Sequence, residues 1–413
     1  MTAVKEGALV GLRVVDLSRI LAAPFATQML GDLGADVIKV ERPGAGDEAR
    51  LYGPDYIVDT DGRSTRESSF YVSANRNKRS ITVELSTPEG RDIVCRLVER
   101  ADVLVENFLP GTTARFGLDY QALRAINPRL IYCSVTGYGQ EGPYRDRPGF
   151  DAVFQAQGGL MAVTGLADEL PGGGPMKVGP SIVDVVTGHN VAAAIMGALL
   201  YRERVSGRGQ HIDIALLDVA VAMQAHMAQN YLLSGKQPQR QGTSGNGGHP
   251  ARVFRCSDGD IYISAGTQRH YIGLCEVLGR PDLVNDPDFL DTAARWRNRE
   301  RWNAIAEPVI SAWKVAVLAE ALVAAKVPCS RINDYRGLFE DLHARVRGLA
   351  VDVEHPLSSD GRVQLVASPL RLSETPVQYR RPPMMGEQTE EVLREELGMD
   401  AADIARLREA GAI

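Results

Sequence analysis

Three consecutive segments decide the fold: Arg13-Val14-Val15-Asp16-Leu17, then Pro24 to Leu33 followed by Gly34, then Asp36-Val37-Ile38-Lys39-Val40-Glu41. The first and third read as strands. The second reads as a helix with Pro24 in its first turn, where a missing N–H costs nothing, and Gly34 ends it. The alternation continues along the chain. Ile81–Leu85 is a predicted strand, and Ser86-Thr87-Pro88-Glu89 opens a helix through Arg100. Residues 102–107 and 130–135 are predicted strands separated by a short helix from Tyr120 to Ile126. Strands alternating with helices imply a parallel sheet covered on both faces. Ligands of such sheets sit beyond the C-terminal strand ends, which places Ser18, Arg42, Asn107 and Gly137 where a site is expected.

The pattern changes near residue 236. Residues 237–250 are polar and glycine-rich, and Val253–Cys256 and Ile261–Ala265, joined by Ser257-Asp258-Gly259-Asp260, predict a β-hairpin. Residues 294–325 are largely helical, with a charged run from Arg295 to Arg301 that reads as a solvated helix face. Strand-like character returns at 351–372, and 386–412 is charged and amphipathic. The expected organisation is a large Rossmann-like α/β domain from residues 1–235, a smaller inserted α+β domain at 236–335, and a segment 336–413 that returns to the large domain.

Composition bounds the function. The 413 residues are 44% hydrophobic and 24% charged, ordinary values for a globular protein. A formal net charge of -6 argues against nucleic acid as a partner. Apolar runs read as too short to span a membrane, so no membrane partner is expected, and residues 1–6 carry no apolar signal core. Five scattered cysteines, with no Cys-x-x-Cys pair or His/Cys cluster, indicate neither a disulfide framework nor a metal site. Cytoplasmic residence with reduced thiols is the expectation.

Several motifs bear on chemistry. Gly44-Ala45-Gly46-Asp47-Glu48-Ala49 formally matches a dinucleotide fingerprint, but Pro43 intervenes and no convincing helix follows, so it reads as a loop. Asn75-Arg76-Asn77-Lys78-Arg79-Ser80 is basic. It reads either as solubilising surface charge or, with Arg42 and Arg115, as a rim for a phosphate-bearing anion. Gly245-Asn246-Gly247-Gly248-His249 is either a linker or a loop able to lie over a reacting group. Asp184 sits between Ile182-Val183 and Val185-Val186, ahead of a helix-like run from Asn190 to Glu203. Two readings fit it: an N-cap for that helix, or a carboxylate nucleophile stripped of hydration.

Together these residues resemble a known family, the class III coenzyme A transferases of the CaiB–BaiF/formyl-CoA transferase type. The likeness runs through Val15 to Arg19, Leu33 to Glu41, Asn77 to Ser80, Ala101 to Phe108, Gly188, Ser206 to Asp218 and Gly386 to Leu393. It implies that Asp184 is the nucleophile and that Arg42, Leu85, Asn107, Phe108 and Arg115 contact coenzyme A. It also implies that Asp151 lies beside the reaction centre and that Gly247 and Gly248 form a mobile glycine loop. No prosthetic group or metal is implied; a coenzyme A thioester is the substrate, a small carboxylic acid the second partner, and an interlocked homodimer the assembly. Leu21 departs from the formyl-CoA enzymes, which carry glutamine there for handling oxalate. The segments 139–148 and 176–179 resemble members that use succinyl-CoA and dicarboxylates. Arg19 and Arg145 read either as partners for a distal carboxylate or as surface arginines.

The chemistry the resemblance implies is covalent. Asp184 attacks the acyl-CoA thioester to give an aspartyl-acyl anhydride, and the retained thiolate then makes an aspartyl-CoA thioester. An acceptor carboxylate attacks that thioester, CoA leaves on the new acid, and backbone N–H groups stabilise the oxyanions. Two alternatives are weighed against it. An α-methylacyl-CoA racemase needs a histidine where this chain has Phe150, and phenylalanine cannot carry a proton. A non-catalytic CoA-binding protein has no need of an intact Asp184 segment.

Overall fold

The structure is a computed structural model and describes residues 7–245 and 248–413. It divides into two compact units. The first comprises the chain up to Met161, Lys177–Gln237 and Arg347–Ile413; the second comprises Ala162–Met176 and Pro238–Val346.

The first unit is built on six parallel strands: β1 (Arg13–Asp16), β2 (Asp36–Glu41), β3 (Lys78–Thr82), β4 (Val103–Glu106), β5 (Ile131–Thr136) and β6 (His211–Ala215). Their order is β3-β2-β1-β4-β5-β6, so the strand order reverses between β1 and β4. That is the doubly wound arrangement, with its crevice where the connections diverge. Successive residues serve opposite faces, as strand geometry requires. Val14, Val37, Val103, Ile131 and Cys133 pack with α1 (Ala22–Asp32) and with a long helix, Ile182–Tyr201. Val15, Ile38, Leu104 and Tyr132 face α2 (Pro88–Val98), α3 (Tyr120–Ile126) and the C-terminal helices Thr389–Leu397 and Ala401–Glu409. The burial of both faces explains why the strands read as continuous apolar runs.

Sequence signals locate most of these elements. Thr87 accepts from Gly90 N–H as the N-cap of α2, with Pro88 as its first residue, and Asp119 caps α3. The outer edge of β3 is closed by the returning C-terminal segment: Gln388 N–H donates to Ser80 O (2.9 Å) and Thr82 N–H to Thr389 Oγ1 (3.0 Å). An open edge would otherwise be a template for another strand.

Four expectations need correction. The strand after the basic run is Lys78–Thr82, not Ile81–Leu85, so Lys78, Arg79 and Ser80 lie within the sheet. Arg76 and Lys78 are buried and neither solubilise the protein nor line a rim: Arg76 pairs with Asp32 (2.5 Å), and Lys78 with Asp16 (3.0 Å). The half-buried Arg79 pairs with Asp36 (2.5 Å). The long helix starts at Ile182, eight residues before the predicted run, because the apolar residues around Asp184 are its first turn. With its continuation to Ser206 it is long and apolar enough to cross a membrane by length and composition, contrary to the reading of the apolar runs. One face packs on α1, where Gly188 permits the approach; a Cβ there would meet Ala22 O at 2.9 Å.

The second unit contains the antiparallel pair Ala251–Arg255 and Asp260–Ser264, with Cys329–Arg331 alongside. Helices Gln268–Val277, Arg299–Ser311 and Val315–Ala324 pack on it around Trp302 and Phe289. The unit differs from the predicted 236–335 at both ends. It takes in residues 162–176 because Gly242 N–H bonds Gly165 O (2.9 Å) and Arg240 Nε bonds Leu166 O (3.1 Å). It also runs on to Val346. Arg295, expected on a solvated face, is fully buried; its guanidinium donates to the carbonyls of His249, Phe289 and Gly266.

Candidate active site

The loops after β1, β4 and β5 meet at the reversal point. Asn107 clamps the first of them, accepting from Arg19 N–H (2.9 Å) and donating to Arg19 O (2.8 Å). The next residue, Ile20, has φ +73°, an unfavourable conformation for a β-branched side chain. Its N–H donates to Asp47 Oδ1 (3.0 Å), and Asp47 is itself held by buried Lys39 (2.8 Å). Strain of this kind persists only where surrounding structure enforces it.

The enforcing structure is a buried charge network. Lys39 and Lys78 flank Asp16, whose carboxyl burial alone would push up, but the two ammonium groups hold it below the ordinary range. Burial outweighs Asp16 at Lys78 and lowers its pKa to about 8. Glu41 is likewise buried, but Arg50, hydrogen bonded at 2.7 Å, brings it down to about 2. Buried pairs of this sort lock geometry more than they add stability. The sequence shows Asp16, Lys39 and Glu41 as polar positions of strands and Lys78 as part of a basic run, and gives no sign of their pairing.

Asp184 occupies the third position of the long helix. It is not the N-cap. Ser181 holds that position without a side-chain cap bond, and the capping acceptor comes from α4 (Asp151–Gln157). Asp151 Oδ2 accepts from Val183 N–H (2.8 Å) and from Asp184 N–H (3.2 Å). Its other oxygen accepts from Gln155. Asp184 is thereby freed from capping, and no donor among the described residues bonds its carboxyl. Burial, with the Asp151 charge as second cause, raises its pKa to about 7. Asp184 opens into a cavity of about 290 Å³ lined also by Arg19, Leu21, Asn107, Gly137, Arg147 and Phe150. Phe150 is 64% exposed there, and no described histidine lines the cavity.

A second cavity of about 590 Å³ lies beyond the ends of β1, β2 and β3 and includes Arg42, Leu85, Phe116 and Arg66. Arg19, Glu48 and Phe108 line both cavities. The structure therefore brings Asp184, Asp151, Asn107 and Phe108 together, and Arg42 and Leu85 beside them. The Arg42 side chain is 74% exposed and pairs with Glu84 (3.3 Å), a surface pair of little strength. Arg115, one residue before Phe116, lines neither cavity; its guanidinium donates to Thr112 (3.2 Å). Gly248, at φ +110°, belongs to the second unit, where a Cβ would meet Thr292 Cγ2 at 2.8 Å. Gly247 lies outside the described residues. Sequence reasoning missed Arg66, which comes in on the hairpin Tyr56–Val58/Ser64–Ser68 and donates to Ala45 O (3.0 Å). It also gave no role to Arg147 or to Glu106. Glu106 accepts from Phe108 N–H (2.9 Å), and its carboxyl is pushed up to about 7 by burial.

An unbonded carboxylate in a small cavity beside a larger one with arginines suits a reaction on a bulky activated acid. Comparison with known proteins gives the same direction: the profile described as CoA-transferase family III matches residues 9–389. The chain belongs to CoA-transferase family III. A succinate–glutarate CoA-transferase from Agrobacterium fabrum is 42% identical over 94% of this chain and 95% of its own. The human succinyl-CoA:glutarate CoA-transferase is 37% identical over 98% of this chain and 90% of its own. Among solved structures, a CAIB/BAIF family protein from Brucella suis superposes with a TM-score of 0.83 at 39% identity, covering 95% of this chain and 100% of that one. This CoA-transferase thus shares the family's mixed α/β architecture with its large parallel sheet.

Proposed function

We propose that this CoA-transferase exchanges coenzyme A between a dicarboxylic acyl-CoA, such as succinyl-CoA, and a second dicarboxylic acid, through covalent intermediates on Asp184. Asp184 attacks the thioester carbonyl, the C–S bond breaks, and the thiolate leaves an aspartyl-acyl anhydride. The thiolate attacks the aspartyl carbonyl, releases the first acid as its carboxylate and leaves an aspartyl-CoA thioester. The acceptor carboxylate attacks that thioester and expels the thiolate. The thiolate then attacks the acyl carbonyl, which restores the Asp184 carboxylate and yields the new acyl-CoA.

The observation that carries this reading is the position of Asp184: in the helix's first turn, relieved of capping by Asp151, unbonded, and facing a cavity that adjoins a larger one. Arg42 and Phe108 in the larger cavity, with Arg115 near it, are proposed to hold the coenzyme through charge-assisted and stacking contacts. Dicarboxylates are favoured because the relatives named above act on succinate and glutarate. Phe150 weighs against racemisation, since an α-proton would have no second base. Exposed Leu232 (73%) and Leu233 (79%), on the helix His226–Ser234, support a further copy of the chain as their cover, in a homodimer. The test is mass spectrometry of the protein after incubation with succinyl-CoA. An adduct on the peptide bearing Asp184, absent from Asp184→Asn, is expected; transfer without any adduct would refute the covalent route.

A further inference from the structure

Three arginines line the small cavity, and they differ in what already holds them. Arg19 is bonded to Glu48. Arg145 turns to its neighbour Asp146 (3.3 Å). Arg147 has no carboxylate partner among the described residues. Its guanidinium carbon lies 3.7 Å from the ring centre of Tyr144, so one face of the group is covered while its edge, which carries the N–H donors, stays free. A cation stacked in this way is fixed in place without using its hydrogen bonds.

The stack has a rigid base. Tyr144 meets Tyr138 edge-on (5.7 Å), and Tyr138 meets Phe154 (5.3 Å), which is fully buried in α4. Tyr138 OH donates to Gln157 in the same helix (2.7 Å). The loop that carries Arg147, between β5 and α4, closes on the Phe154 ring through a glycine at each end: a Cβ at Gly149 would meet it at 2.4 Å, and one at Gly137 at 2.7 Å. The same helix presents Asp151 to the Asp184 turn. Arg147 and Asp184 are therefore set against one scaffold, on one cavity.

We infer that Arg147 binds the distal carboxylate of the acid and makes the enzyme selective for dicarboxylic over monocarboxylic substrates. A carboxylate reacting at Asp184 leaves the acid's other charge within the cavity, where desolvation penalises it unless a cation meets it. A free guanidinium edge offers two parallel N–H bonds for that purpose. The inference rests on the Asp184 reading above.

The experiment compares glutarate with pentanoate as acceptors at a fixed concentration of succinyl-CoA, in wild type, Arg147→Ala and Arg147→Lys. The donor half-reaction is common to both acceptors and cancels in the ratio of their kcat/KM values. Wild type should prefer glutarate. Arg147→Ala should lower that ratio by roughly tenfold to a hundredfold, the range for a lost charged hydrogen bond, with Arg147→Lys between. Should the alanine variant not fold, Arg147→Gln, which keeps part of the aliphatic stem and a polar end without the charge, carries the same comparison. A ratio within twofold of wild type, with both acids slowed alike, would show Arg147 to be a loop-shaping residue and overturn the inference. Wild-type transfer to both acids without preference would overturn it too. If wild type transfers CoA to neither acid, it is the dicarboxylate reading that fails first.

Discussion

Asp184→Asn separates a helix cap from a poised nucleophile, because the two roles give opposite signs in stability. The substitution keeps the shape of the side chain and removes its ionisation. Burial, reinforced by Asp151, raises the carboxyl from 3.8 to about 7. A folded-state pKa above the unfolded value means that the folded protein holds the proton more tightly. The ionised form then weighs against folding as pH rises from about 4, and the full cost is present above 7. Three pH units correspond to roughly 4 kcal/mol at most, and the contact of Asp184 with the open cavity reduces this to on the order of 1–3 kcal/mol. Urea unfolding at pH 8 should find Asp184→Asn more stable than wild type by that amount, with the gap closing toward pH 4. Transfer activity should vanish in the same variant. A variant less stable than wild type at pH 8 would mean that the carboxylate supports the helix, and the argument for a freed nucleophile would fail.

The ionised form is the attacking one, so kcat/KM should rise with pH through a midpoint near 7, and Asp151→Asn, which removes the neighbouring charge, should move that midpoint to lower pH. Glu106 also titrates at about 7; Glu106→Gln should leave the midpoint in place, and a profile that flattens instead would assign it to Glu106. Arg42→Ala and Arg115→Ala should raise the KM for acyl-CoA by about tenfold with kcat little changed; unchanged affinity of both variants by calorimetry would remove them from coenzyme binding. Lys78→Met removes the cation paired with buried Asp16 and leaves Lys39 as the remaining one beside it; it should cost about 3–5 kcal/mol in urea unfolding, and a loss below about 1 kcal/mol would mean that Lys39 alone suffices.

By itself the sequence determined the alternation of strands and helices, because each strand of the sheet is a short apolar run punctuated by Pro24, Gly34 and Pro88, whose backbone preferences are local. It also marked Asp184 as unusual, since an acid among β-branched neighbours is visible without any fold. Tertiary structure decided what that acid does. Relief from capping depends on Asp151, 33 residues away, and the raised pKa depends on burial that only packing produces. The basic run at 75–80 was misread for the same reason: Asp16, Asp32 and Asp36, which neutralise it, are close in space and distant along the chain. Arg147 was passed over because its distinction from Arg19 and Arg145 lies in its partners, and a ring beneath a guanidinium is a fact of three dimensions. Local propensity follows from covalent geometry and can be read residue by residue; electrostatic character follows from distance, which the chain sets only once it has folded.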